Sequence, residues 1–120
     1  MTDKPCRSEC PLACTLEVIG DKWTLIIVRD ILKGEKTYNE LQRGAEKIPT
    51  NILASRLKML VNEGILYKKP YQENPPRHTY GLTEKGYALW PVVRELIRWG
   101  DKYVPGAKIS PEAKKAIENA

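Results

Sequence analysis

Apolar residues recur at helical spacing along most of this chain, and the period shortens only once, between residues 65 and 82. Pro11 suits a first helical position, where its missing N–H costs nothing, and this makes Cys10 the N-cap. Leu12, Ala13, Leu16 and Ile19 then share one face, and Gly20 ends the helix. The spacing predicts a second helix from Lys22 to Leu32. Trp23, Ile26, Ile27, Val28, Ile31 and Leu32 make it apolar nearly all round, as a central buried helix would be, and Gly34 closes it.

Thr37 and Glu40 have the spacing of a capping box, in which each side chain satisfies the other residue's free backbone donor. A short helix over Tyr38–Arg43 follows, anchored by Leu41. Gly44 and Pro49 stop it, and Thr50 is expected to cap a fourth helix that runs to Glu63 before Gly64. Ile65–Gln72 and Arg77–Leu82 read as strands joined by a stiff turn at Glu73-Asn74-Pro75-Pro76. Thr83 is expected to cap one long helix reaching Tyr103 and bent at Pro91. Val104-Pro105-Gly106 breaks the chain, and Ser110-Pro111-Glu112 opens a short last helix. This order predicts an α+β, mainly helical fold: a winged helix-turn-helix with a long C-terminal dimerisation helix. Residues 1–9 form a tail, 10–104 the DNA-binding and dimerisation domain, and 105–120 an extension with a short helix.

On the fourth helix, Leu53, Leu57, Leu60 and Val61 gather on one side, while Asn51, Ser55, Lys58 and Asn62 point the other way. Amides, hydroxyls and cations read base edges and hold phosphates. Base contact is therefore assigned to Thr50, Asn51 and Ser55, and phosphate contact to Arg56 and Lys58. In the hairpin, Lys68, Lys69 and Arg77 are the expected contacts to flanking DNA, with Arg77 beside the Pro75-Pro76 tip. His78 reads as an ordinary strand residue. The predicted long helix carries more apolar surface than so small a domain needs for its own core. Leu89, Val93, Leu96 and Ile97, with Leu12, Leu16 and Ile19 of the first helix, are the expected dimer interface.

Charge sharpens this picture. The 120 residues carry a net charge of +5, unevenly spread. Residues 1–49 hold eight Lys/Arg against eight Asp/Glu, whereas residues 50–83 hold five against only Glu63 and Glu73. A local excess of cations is what a phosphate-facing surface needs. The longest apolar stretch, near Trp23–Val28, is too short to span a bilayer, and no signal peptide is visible. The expectation is a cytoplasmic protein without a membrane partner. No glycine-rich phosphate loop and no Ser/His/Asp set is present, and the lone His lies in the hairpin, so no enzyme and no cofactor is expected.

Three cysteines, Cys6, Cys10 and Cys14, crowd near the N-terminus and cannot staple distant parts of a fold. Cys10, at a helix N-terminus with Arg7 and Lys4 nearby and Glu9 opposing, is the candidate reactive thiol. A Cys10–Cys14 bridge within one helix is geometrically poor, while one to Cys6 or across a dimer is easier. Two other readings stand beside thiol sensing. One is a metal held by the three cysteines, which lacks a fourth protein ligand. The other is a small molecule bound noncovalently, with Trp23, Trp90 and Trp99 lining the pocket.

The segments Cys10-Pro11-Leu12, Gly20-Asp21-Lys22-Trp23-Thr24-Leu25, Tyr38-Asn39-Glu40-Leu41, Leu53-Ala54-Ser55-Arg56-Leu57, Pro75-Pro76-Arg77, Tyr80-Gly81-Leu82-Thr83 and Trp99-Gly100 resemble the HxlR family of bacterial regulators, a branch related to MarR. The resemblance covers residues 10–101. It implies a homodimeric regulator, expected here on an inverted-repeat double-stranded DNA operator. It also implies a response to an oxidant or electrophile through the cysteine at position 10. Cys6 and Cys14 are additions to that pattern.

Overall fold

The protein is described over residues 6–118 by a computed structural model. These residues divide into two units, one ending at Ala88 and the other beginning at Leu89. In the first unit, α1 (Pro11–Ile19) starts at the Cys10 cap with Pro11 in its first turn and stops at Gly20, as its sequence predicts. α2 (Thr24–Ile31) is the buried element: Thr24, Ile27, Val28 and Ile31 are all sealed from solvent. It starts two residues later than its apolar pattern suggests. The Asp21 side chain accepts the N–H groups of Trp23 and Thr24 at 3.0 and 3.1 Å, which settles where the first turn begins.

A two-residue strand, β1 (Lys36–Thr37), precedes α3 (Tyr38–Gln42). The capping box is present in full: Thr37 accepts from Glu40 N–H, and the Glu40 carboxylate accepts from Thr37 N–H. α4 (Thr50–Asn62) follows, then β2 (Leu66–Glu73), β3 (Pro76–Leu82) and the single turn α5 (Glu84–Tyr87). The three strands form an antiparallel sheet in the order β1-β3-β2, with Leu66 opposite Leu82 and Lys36 opposite Tyr80. The hairpin register slips between Pro70 and Gln72, which leaves Tyr71 as an extra residue. Gly64, at φ 74°, makes the left-handed turn from α4 into the sheet, a conformation a side chain would strain. Thr83 ties the far end of the hairpin to that turn. Its N–H donates to the Ile65 carbonyl at 3.1 Å and its hydroxyl to the Gly64 carbonyl at 2.5 Å.

Two expectations change, and one strand is new. Pro49, not Thr50, is the N-cap of α4. The proline holds φ at −59° and its carbonyl receives Leu53 N–H at 2.9 Å, so Thr50 already lies within the helix and makes no capping bond. The long helix expected from Thr83 is two helices. Pro91 has no N–H to give the Tyr87 carbonyl, so α5 ends and α6 (Trp90–Tyr103) restarts with Pro91 in its first turn. The strand at Lys36–Thr37 carries no sequence signal because two residues cannot show a period.

The second unit holds α6 and α7 (Pro111–Glu118). Asp101 accepts Ile109 N–H at 3.2 Å, and Ser110 caps α7 by accepting Ala113 N–H at 3.1 Å. Trp99 and Tyr103 meet one turn apart on α6 in a tilted pair, with ring centroids 5.4 Å apart and planes at 46°.

The buried row on α4 generates the first prediction. Leu57→Ala should lower the unfolding free energy by about 2–5 kcal/mol, because it empties a filled site. Ser55→Ala, on the exposed side of the same helix, should stay within about 0.5 kcal/mol of wild type. Urea denaturation of the two variants measures the contrast.

Candidate nucleic-acid interface

Two polar contacts set the angle between α3 and α4. The Tyr38 hydroxyl donates to the Thr50 carbonyl at 3.0 Å, which pins the start of α4 to α3. Arg29, on α2, grips the intervening turn: its two terminal nitrogens reach the Glu46 carboxylate at 3.0 and 2.6 Å, a bidentate fork. The fork holds the Glu46 carboxyl below its usual value and raises Arg29 further into its charged form. The turn also bends through Lys47 at φ 53°, the one non-glycine residue in the left-handed region among the described residues.

α4 divides as its sequence predicts. Leu53, Leu57 and Leu60 are buried and Val61 is half-buried, whereas Asn51, Ser55, Lys58 and Asn62 lie along the opposite side, all exposed, and Thr50 is exposed in the first turn. Arg56 does not join that row. Its Nε donates to Asp21 Oδ2 at 3.0 Å and the side chain is two-thirds covered, so part of its charge is balanced within the protein. The sequence places Arg56 on the flank of the helix, and only the fold brings a carboxylate to that flank.

Asp21 gathers four donors. Besides the Trp23 and Thr24 N–H groups and Arg56, it accepts the Thr24 hydroxyl. Partial burial pushes its carboxyl up. The Thr24 hydroxyl, the Trp23 N–H and Arg56 together outweigh that push and leave it below its ordinary 3.8. One carboxylate thus starts α2 and holds the middle of α4.

The hairpin separates its cations. Side chains alternate along β2 and β3, and Leu66 and Leu82 mark the inward face. Tyr67 and Lys69 on β2, with Arg77, Thr79 and Gly81 on β3, share the outward face, while Lys68 lies with Tyr80 and His78 on the other. Lys68, Lys69 and Arg77 are exposed. Tyr71, at the bulge, is a half-exposed aromatic residue on the wing that the sequence pattern does not single out. Arg77 and His78 line a small cleft of about 200 Å³ together with Thr37, Tyr38 and Asn39, so the wing and the start of α3 form one continuous surface.

Cys6 and Cys14 form a disulfide, and Cys10 is exposed with a free thiol. The pairing joins the two cysteines that the sequence treats as additions. It also removes two thiolates from the three-cysteine metal reading, and the described residues hold no cluster of three His, Cys, Asp or Glu suited to a metal. Lys4 lies outside the described residues. Among the expected dimer residues, Leu12, Leu16 and Leu96 are exposed, and Ile97 is half-buried, as is Leu89. Ile19 and Val93 are buried, at 5% and 4% exposure, and offer no surface to a partner. Val92, Trp99 and Tyr103 are exposed in their place on α6. An open groove in the first unit, about 860 Å³, is lined by the disulfide, Arg7, Leu16, Asp21, Arg56, Met59 and their neighbours, and by none of the three tryptophans. No helix among the described residues is long and apolar enough to cross a membrane.

Comparison with known proteins agrees with this geometry. The HxlR-like helix-turn-helix family matches residues 18–108. An uncharacterized HTH-type transcriptional regulator of Mycobacterium bovis is 42% identical over 90 residues, which are 75% of this chain and 56% of that protein. The chain therefore spans a little over half the length of that relative. YdeP of Bacillus subtilis, another uncharacterized HTH-type transcriptional regulator, is 36% identical over 94 residues, covering 78% of this chain and 73% of YdeP. Among solved structures, the redox regulator HypR in its oxidized form superposes with a TM-score of 0.70 at 37% identity, over 77% of this chain and 95% of HypR.

The Asp21 cluster generates the second prediction. Its folded value lies below the unfolded one, so its contribution is present above about 3.8 and is lost as pH falls through the lower folded value. Asp21→Asn should be less stable than wild type by about 1–2 kcal/mol at neutral pH. That gap should close on acidification below 3.8, as followed by urea denaturation at stepped pH.

Proposed function

The chain belongs to the HxlR-like helix-turn-helix family, and from that membership we propose that it is a transcription regulator that binds duplex DNA as a homodimer. The observation that carries this reading is the exposed row Asn51, Ser55 and Lys58 on α4, opposite a fully buried leucine row, with Thr50 exposed in the first turn. Such a helix enters the major groove with its N-terminal residues nearest the bases. Thr50, Asn51 and Ser55 then read base edges and Lys58 a phosphate, while Lys69 and Arg77 on the outward face of the wing meet flanking phosphates. Lys68, on the other face, is a weaker candidate for the same strand of DNA. The exposed Leu12 and Leu16 on α1, and Val92, Leu96, Trp99 and Tyr103 on α6, supply apolar surface for a second copy. A two-fold dimer reads an inverted repeat with half-sites one helical turn apart.

Asn51→Ala and Ser55→Ala should each reduce discrimination between operator and a scrambled duplex by about 1–3 kcal/mol. Lys58→Ala, Lys69→Ala and Arg77→Ala should weaken binding to all duplexes and flatten its salt dependence. Deleting one half-site should cost far more than a distant change. Equal affinity for every duplex, indifferent to Asn51 and Ser55, would remove the recognition helix from this reading.

The exposed Cys10 thiol, at the cap of α1 and within the loop closed by Cys6–Cys14, supports a thiol-based signal. α1 carries exposed Leu12 and Leu16, so an adduct at its cap alters the surface assigned to the dimer. Treatment with a quinone should release wild-type protein from its operator and leave Cys10→Ser bound, as measured by fluorescence anisotropy. Equal release of both proteins would transfer the signal away from Cys10.

A further inference from the structure

One side chain crosses the whole sheet. Gly81 on the central strand β3 stands opposite Tyr67 on β2, and Lys36 on β1 stands opposite the neighbouring Tyr80. Extending that register by one residue brings Glu35 beside Gly81. Tyr67, Gly81 and Glu35 therefore form one row across three strands. The Tyr67 hydroxyl donates to the Glu35 carboxylate, so the ring spans the central strand. It can do so only because residue 81 has no side chain. A β-carbon there would lie 2.7 Å from Tyr67 Cε2, and closer still to the end of the ring. Neighbouring strands are about 4.8 Å apart, so a side chain from β2 reaches the β1 edge only by lying flat over an empty position.

The same outward face carries Lys69 and Arg77, the two wing cations. Beyond the two-residue pairing of β3 with β1, the outgoing strand is lightly held: of the β2 side chains only Leu66 is buried, and residues from Tyr67 to the tip at Pro76 are all exposed. At the base of the wing, Thr83 secures the return strand to the end of α4. The Tyr67–Glu35 bridge joins the outgoing strand to the segment leading into β1 and α3.

We propose that Tyr67 and Glu35, meeting across Gly81, are positioning residues that brace the wing against the start of the helix-turn-helix and so aim Lys69 and Arg77 at the duplex backbone. This rests on the DNA-binding reading above, but the brace itself can be measured without DNA. Loss of the hydroxyl removes the bridge and leaves the ring and the leucine core in place. The wing then swings, and its cations lose their fixed distance from the phosphates that α4 selects.

The test uses the full-length protein, with Tyr67→Phe and Glu35→Ala as variants and Glu35→Gln as the conservative one. In the free protein, amide hydrogen exchange across residues 66–82 should quicken in Tyr67→Phe and Glu35→Ala. Glu35→Gln, whose amide oxygen still accepts, should stay near wild type, and exchange in α2 should be unchanged in all three. On a random-sequence duplex, Tyr67→Phe should weaken binding about three- to tenfold and lower the salt slope by roughly 1 for each phosphate the wing no longer reaches. In a Lys69→Ala/Arg77→Ala background the same change should have no further effect on binding. Unchanged exchange in the hairpin overturns the brace whatever the DNA result. Faster exchange with an undiminished effect in the Lys69→Ala/Arg77→Ala background overturns its link to Lys69 and Arg77. A wild-type protein that binds no duplex at all would instead sink the DNA-binding reading.

Discussion

A single carboxylate organises the first unit. Asp21 accepts two backbone N–H groups at the start of α2, the Thr24 hydroxyl, and Nε of Arg56 on α4. Caps ordinarily act within one helix. This one also reaches into another helix, so the entry to the buried α2 and the middle of α4 are positioned by the same group. Arg29 does the equivalent from the other end of α2, holding the turn before α4 through Glu46. α4 is thereby fixed at its start, by Tyr38 and the Arg29 fork, and again at its middle. A helix that reads base edges needs that rigidity, because each hydrogen bond to a base tolerates little displacement.

The wing is built on the opposite principle. It projects beyond the leucine core, and most of its residues are exposed. Its orientation therefore depends on the short pairing of β3 with β1 and on a few polar ties: Thr83 to Gly64 and Ile65, and Tyr67 to Glu35. Alternation along the strands then decides which cations act together. Lys68 and Lys69 are adjacent in sequence yet lie on different faces, while Lys69 and Arg77 share one although eight positions separate them.

Much of the architecture is legible in the sequence because its causes are local. The Thr37/Glu40 capping box, the Pro11 start, the Gly64 turn and the leucine row of α4 each act within a few residues, and each stands where the pattern predicts. Pro91 is legible as a disruption, but the pattern suggests a bend where the fold has a break. Whether a proline kinks a helix or begins a new one depends on how the segments on either side pack. Arg56 escapes the pattern for a related reason. On a helical projection it is a flank cation like any other, and only the approach of Asp21, thirty-five positions away in sequence, ties it to a carboxylate within the protein.

The sequence by itself determined the order of elements, the buried side of α4 and the polar side left over, since periodicity and capping are short-range effects written in neighbouring residues. It also marked the N-terminal cysteines as a group. Only the tertiary structure decided which two of them pair, which cations remain available to a ligand, and that a tyrosine could cross a strand at Gly81. Those outcomes depend on distances between residues far apart in the chain. Composition and spacing carry no record of such distances, because packing sets them only once the leucine core has closed.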